Sequence, residues 1–175
     1  LLGLSHNISA LLFFAFYWIY VLFQSLAKKD WRVIWRSGLS FALGIVMALF
    51  FLVPALYEKQ YTFLDVTIAK DYPAHFVYPI QLIKGGWDFG ASIAGPDDGL
   101  SFNLGWVALV LALPAIGWGL LQGKILQKAR LQSLFLYTVF MLAVSLFFMF
   151  EWSKIFWDHL PLLPFVQFPW RFIIL

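Results

Sequence analysis

The sequence predicts an all-α fold, a polytopic transmembrane helix bundle with one long extracytoplasmic loop containing short interfacial helices. Three observations carry that expectation. Hydrophobic residues make up 62% of the chain and charged residues 12%, with a mean hydropathy of +0.83, whereas about a quarter of a soluble domain is charged. Apolar runs of about 20 residues, enough to cross a hydrocarbon core of ~30 Å, recur along the chain. A single long polar interval, 57–103, interrupts them and carries six of the nine acidic residues (Glu58, Asp65, Asp71, Asp88, Asp97, Asp98) together with His75.

The first span is expected at 8–27, behind Ser5-His6-Asn7, with Tyr17, Trp18 and Tyr20 packed against neighbouring helices. A nine-residue connection, 28–36, follows with four basic residues and one acid. The second span, 37–56, carries Gly38, Gly44 and Pro54; small residues let helices approach closely in lipid, where association relies on packing. The third, 104–122, holds Pro114 with Gly105, Gly117 and Gly119, which predicts a kinked, closely packed helix. A basic connection, 123–130, leads to a fourth span at 131–150. A second polar loop, 151–168, precedes a fifth span, 169–175, that the sequence leaves incomplete. Because the chain starts at Leu1 without an initiator Met and ends inside the apolar run Phe172-Ile173-Ile174-Leu175, a fragment of one longer transmembrane domain is expected.

Charge asymmetry orients the spans. The connections 28–36 and 123–130 hold seven Lys/Arg and one acid, and the opposite side holds five Lys/Arg and eight acids. Basic residues in short loops mark the cytoplasmic side, so the prediction is a multi-pass protein of the cell membrane with loops 57–103 and 151–168 outside. The net charge of +3 does not point to nucleic acid, since the basic residues flank apolar spans and form no basic stripe. Cysteine is absent, which excludes disulfides, thiolate metal sites and a cysteine nucleophile.

A polar interval of 47 residues should carry structure of its own. Asp71-Tyr72-Pro73 reads as a helix start, with Asp near the N-cap and Pro in the first turn. Phe76, Ile80 and Ile83 recur at helical spacing, and Gly85-Gly86 provides a stop. An interfacial helix over 74–83 is therefore expected, weakened by Pro79. Gly95-Pro96-Asp97-Asp98-Gly99 fits a β-turn.

The same loops hold the candidate chemistry. Asp97 and Asp98 fit either a divalent cation that grips a phosphate or plain turn formation. Glu58, at the mouth of the second span, offers a general base or a solvated charge. Arg171 stands at the outer head of the fifth span, where a guanidinium either binds a lipid phosphate bidentately or snorkels to the interface. His6, Asn7 and His75 lie on the same predicted face and are candidates for contacting substrate. The separations of 69 and 84 residues between His6, His75 and His159 match no zinc-ligand pattern. No Gly-x-Ser-x-Gly element supports a serine nucleophile.

Four segments carry a resemblance: Ser5-His6-Asn7, the run from Pro54 to Thr62 (PALYEKQYT), the run from Gly95 to Gly105 (GPDDGLSFNLG) and Gln167-Phe168-Pro169-Trp170-Arg171-Phe172. In this order and separation they resemble the bacterial and archaeal multi-span family described as 6-pyruvoyl-tetrahydropterin synthase-related, over nearly the whole chain. That description is not a chemistry for this sequence, because the soluble synthase holds a zinc with three histidines and nothing here resembles its site. The family is similar to GT-C glycosyltransferases, which take sugars from polyprenyl phosphate donors at the outer face. Their catalytic acid usually lies in the first outer loop, upstream of where this chain begins, so the resemblance assigns no catalytic residue here. It implies a lipid-linked sugar transferase. A transporter or flippase for a lipid or polar solute, and a non-catalytic membrane scaffold, stand as alternatives. Polar or broken helices at mid-membrane would mark a transporter, and spans one, two and four hold no ionisable residue in their interiors.

Overall fold

The structure is a computed structural model that describes residues 4, 6–61, 71–84, 90–121 and 129–175. Among these the fold is all-α, with helices, 3₁₀ turns and no strand beyond an isolated bridge position at Leu100. Three helices are long and apolar enough to cross a membrane. Ser5, Asp65, Asp88, the stop at Gly85-Gly86 and the basic residues Lys124 and Lys128 lie outside the described residues. The chain divides into two compact units, 1–65 with 124–138, and 66–123 with 139–175.

The first unit is built on α1 (Asn7–Lys28), α2 (Arg32–Glu58) and the start of α4 (Ala129–Met149). His6 is the N-cap of α1, its Nδ1 accepting the Ser9 N–H at 3.1 Å, which serves one of the four N–H groups that a helix start leaves without a partner. Lys29 ends α1 in the left-handed region, φ 50°. Asp30 then starts α2: its carboxylate accepts the Arg32 N–H at 2.9 Å and its carbonyl the Val33 N–H at 3.3 Å. The connection is consequently three residues, Lys29–Trp31, rather than the nine expected, because this capping lets Arg32–Arg36 join the helix. At 1.5 Å per residue the 27 residues of α2 reach about 40 Å, more than a bilayer core is thick and long enough to span one with a tilt.

Aromatic edges hold these helices together. Phe41 of α2 meets Phe14 and Trp18 of α1 with ring centroids 5.0 and 5.5 Å apart, and a Cβ at Gly38 would stand 3.7 Å from the Trp18 ring. Toward α4, Tyr20 packs on Tyr137 at 5.1 Å, and the Tyr137 hydroxyl donates to the Phe16 carbonyl at 3.2 Å. Tyr17, by contrast, is exposed. Ala48 is the one buried residue of α2, while Leu39, Val46, Met47 and Phe50 are largely exposed. Such a surface is stable against lipid and costly in water.

The second unit holds α3 (Trp106–Leu121), the end of α4, the short α5 (Lys154–His159) and 3₁₀ turns at Tyr72–His75, Pro79–Leu82, Glu151–Ser153, Leu163–Val166 and Pro169–Ile174. Its core is aromatic. Trp157 is fully buried, stacks on Tyr72 at 5.1 Å, meets Phe76 and Phe172 edge-on, and donates its indole N–H to the Phe148 carbonyl at 3.2 Å. Phe148 in turn stacks on Phe172 at 5.1 Å.

Two expectations are corrected here. No single helix spans 74–83: two 3₁₀ turns flank an extended step at Phe76–Tyr78. Pro79 has no N–H to continue a helix and biases Tyr78 to the extended region, observed at φ −87°, ψ 141°. The Val77 N–H leaves the local ladder for the Met149 carbonyl at 2.9 Å. Phe76 is consequently buried in the core, while Ile80 and Ile83 stay exposed. Nor is Asp71 a side-chain cap. The second correction concerns α3, which has no buried residue. An added Cβ at Gly117 would meet nothing within 4 Å, so Gly117 does not serve close packing among the described residues.

Candidate functional site

In the second unit, side chains distant in sequence gather around the ring of Phe168. The 3₁₀ turn Tyr72–His75 presents His75, which is 9% exposed, edge-on to that ring with centroids 4.8 Å apart. The turn Pro169–Ile174 carries Arg171, whose guanidinium carbon stands 4.8 Å from the same ring centre and 5.8 Å from that of Trp170. Trp170 stacks on Phe168 at 5.3 Å.

The loop 90–105 supplies the third side. Gly90 donates to the Gly99 carbonyl at 3.0 Å, and the backbones approach so closely that a Cβ on Gly90 would stand 2.9 Å from the Gly99 Cα. Gly95, at φ +109°, makes the turn inside this closure, a conformation that glycine adopts without strain. Asp98 accepts the Leu100 N–H at one carboxylate oxygen (2.9 Å) and the Ser92 hydroxyl at the other (3.0 Å). Ser92 Oγ lies 2.9 Å from His75 Nδ1, and His75 Nε2 lies 3.4 Å from the Asp71 carboxylate.

The result is a line of four groups, Asp71, His75, Ser92 and Asp98. A hydroxyl has one proton to donate. While Ser92 gives it to Asp98, Nδ1 must bring its own proton to Ser92, and an imidazolium donates to both neighbours. With a neutral ring protonated at Nε2, Ser92 turns its proton to Nδ1 and releases Asp98. Either way a proton can shift between a half-exposed loop and a buried ring.

Arg171 and Trp170 form the cationic and donor side. One guanidinium nitrogen of Arg171 donates to the Val166 carbonyl and to Gln167 Oε1, both at 2.8 Å, leaving its other N–H groups for a ligand. Among the described residues no carboxylate pairs with it, and the buried Trp170 Nε1 has no hydrogen-bond acceptor. Buried donors are normally satisfied, so two adjacent residues offer N–H groups without a protein anion.

Of the residues singled out from sequence, the structure brings together His75, Asp98 and Arg171. Asp97 is exposed beside Asp98. Glu58 ends α2 and is exposed, His6 caps α1, and Asn7 is the first residue of α1, all three in the first unit. Among the described residues no three His, Asp or Glu side chains group as metal ligands. Ser92 and Trp170 were not foreseen; the only signal for Trp170 was its place in the Gln167–Phe172 segment, and Ser92 carried none. No family model, no curated protein and no solved structure matches the chain.

Proposed function

We propose that this chain is part of an integral membrane glycosyltransferase, related to the 6-pyruvoyl-tetrahydropterin synthase-related proteins and GT-C-like. In this reading it uses a polyprenyl-phosphate-linked sugar donor at the extracytoplasmic face. The observation that carries the reading is the pair of donors at Trp170 and Arg171, without a protein anion among the described residues and across one phenylalanine from His75. A phosphate supplies the missing acceptors, and guanidinium–phosphate contacts are strong in a partly buried site. In the transfer step an acceptor hydroxyl attacks the anomeric carbon, and the bond from that carbon to the phosphate oxygen breaks. The electron pair leaves with the phosphate, where Arg171 stabilises the growing charge. The hydroxyl proton passes to the His75, Ser92 and Asp98 line, with Asp97 as a further candidate base.

The transporter or flippase reading receives less support, since the buried contact between Gln24 and Ser133, at 3.5 Å, lies four residues from the end of α1 at Lys28 rather than at its centre. A scaffold reading leaves the unpaired donors without a purpose. The test is transfer from radiolabelled polyprenyl-phosphate sugars by the purified protein. Arg171→Ala is expected to lower turnover roughly a hundredfold, as losing one donor to a developing anion does elsewhere, and Asp98→Asn to lower it as well. No transfer by the native protein, together with unchanged cell-surface glycans in both variants, would leave the transporter or scaffold readings standing.

A further inference from the structure

A groove of about 540 Å³ opens between the turn Pro79–Leu82 and the first half of α3. Every described residue lining it is apolar or aromatic; Pro79, Leu82 and Ile83 form one wall and Trp106, Leu109 and Leu113 the other. The backbone around it makes no polar demand. The Leu82 carbonyl accepts the Leu104 N–H at 3.1 Å, and the Ile83 carbonyl accepts Asn103 Nδ2 at 3.3 Å. Asn103 Oδ1 takes the Gly105 N–H at 2.7 Å. Water entering such a groove finds no partner, and apolar cavities of this kind stay dry or take apolar ligands.

Two further observations say what covers it. The groove is continuous with the exposed apolar face of α3, where Val107, Val110, Leu111 and Leu113 are each more than half exposed, a face suited to lipid. Directly after Ile83, which lines the groove, comes the exposed Lys84, whose N–H is tied to the Ile80 carbonyl at 2.8 Å. Trp106, the first residue of α3, lines the groove, and tryptophans are enriched where hydrocarbon meets head groups. A cation next in sequence to one wall of a hydrocarbon-lined groove, and an indole in the other wall, complement an anionic lipid. We propose that the groove holds one hydrocarbon chain of an anionic bilayer phospholipid, with Lys84 meeting its phosphate. This site is independent of the sugar-transfer reading.

The experiment places the protein in phosphatidylcholine vesicles carrying a small fraction of phosphatidylglycerol with a photoactivatable acyl chain. Crosslinks are expected to concentrate in the peptides around 79–84 and 104–114 and to be competed by unlabelled phosphatidylglycerol. Leu109→Trp, which fills the groove, should remove them, with thermal unfolding checked against the native protein. The exposed Lys84→Gln leaves the groove intact and should reduce the preference for phosphatidylglycerol over phosphatidylcholine about fivefold, as expected for one lysine at an anionic head group. Labelling that does not saturate and is spread evenly over the lipid-facing helices would overturn the proposal. Competition by a polyprenyl phosphate but not by phosphatidylglycerol would overturn it too, and would give the groove to the transferase substrate instead.

Discussion

Tyr72 shows how one residue serves both the core and the site. Its ring stacks on Trp157, and its hydroxyl donates to the Asp158 carboxylate. Burial and then that hydrogen bond push its pKa up to about 12. The same bond, helped by Lys154, holds Asp158 below the usual carboxylate value against a smaller opposing effect of burial. A raised tyrosine stabilises the fold fully below its unfolded pKa of ~10 and loses that contribution as the pH climbs through about 12. A lowered aspartate contributes above its unfolded pKa of ~3.9 and loses that contribution as the pH falls through its folded value. Tyr72→Phe is therefore expected to lower the Tm by a constant amount across the window between these limits. The gap to the native protein should narrow at pH below ~4, and a gap independent of pH down to that acid end would contradict the assignment. None of this was legible in the chain, because Tyr72 and Asp158 are 86 residues apart and no local pattern joins them. Ser92 escaped for the same reason: its partners His75 and Asp98 flank it only once the loop closes.

That closure belongs to the scale of elements, and it rests on two glycines. Gly90→Ala would drive a methyl group to 2.9 Å from the Gly99 Cα, a backbone atom that cannot turn aside. The loop must open, costing about 1–3 kcal/mol as overpacking usually does, and with it go the bonds from Ser92 to His75 and Asp98. Thermal unfolding of Gly90→Ala and Gly99→Ala, with the transfer assay beside it, checks this; wild-type behaviour in both would mean that the loop does not hold the site. In lipid the polar contact between Gln24 and Ser133 should matter less. Interhelical hydrogen bonds average about 0.6 kcal/mol there, and this one is long, so Gln24→Leu should change stability by under ~1 kcal/mol. The long helices were readable to within a few residues because hydropathy and length alone fix them. The expected spans 8–27 and 131–150 correspond to α1 at Asn7–Lys28 and α4 at Ala129–Met149. Arg32–Arg36 were misplaced because charge suggested a loop, while Asp30 capping extends α2 through them. At 74–83 periodicity misled, since the decisive interactions, the proline geometry and the Val77 bond to Met149, are respectively stronger than spacing and remote in sequence.

At the scale of the molecule the open question is which side of the membrane the polar loops face. Three helices are long and apolar enough to cross a membrane, but length and hydropathy are symmetric and choose no direction. Charge does choose: seven of the twelve Lys/Arg fall in the segments 28–36 and 123–130, at and beside the two short connections, and translocating such segments is unfavourable. The tight turn at Lys29–Trp31 strengthens the expectation, since Lys28, Lys29, Arg32 and Arg36 all cluster within about two helical turns of a single hairpin, beside the exposed Trp31 and Trp35. The absence of cysteine makes the test free of background. A single cysteine at Asp97 is expected to react with a membrane-impermeant thiol reagent on intact cells. One at Lys29 should react only after permeabilisation. The reverse pattern would invert the orientation and place the loop with His75 and Asp98 inside, where a donor presented at the outer face could not reach it. The topology and the transferase reading would then fall together, whereas the phospholipid groove, which needs only a bilayer and an anionic head group, would survive on either side.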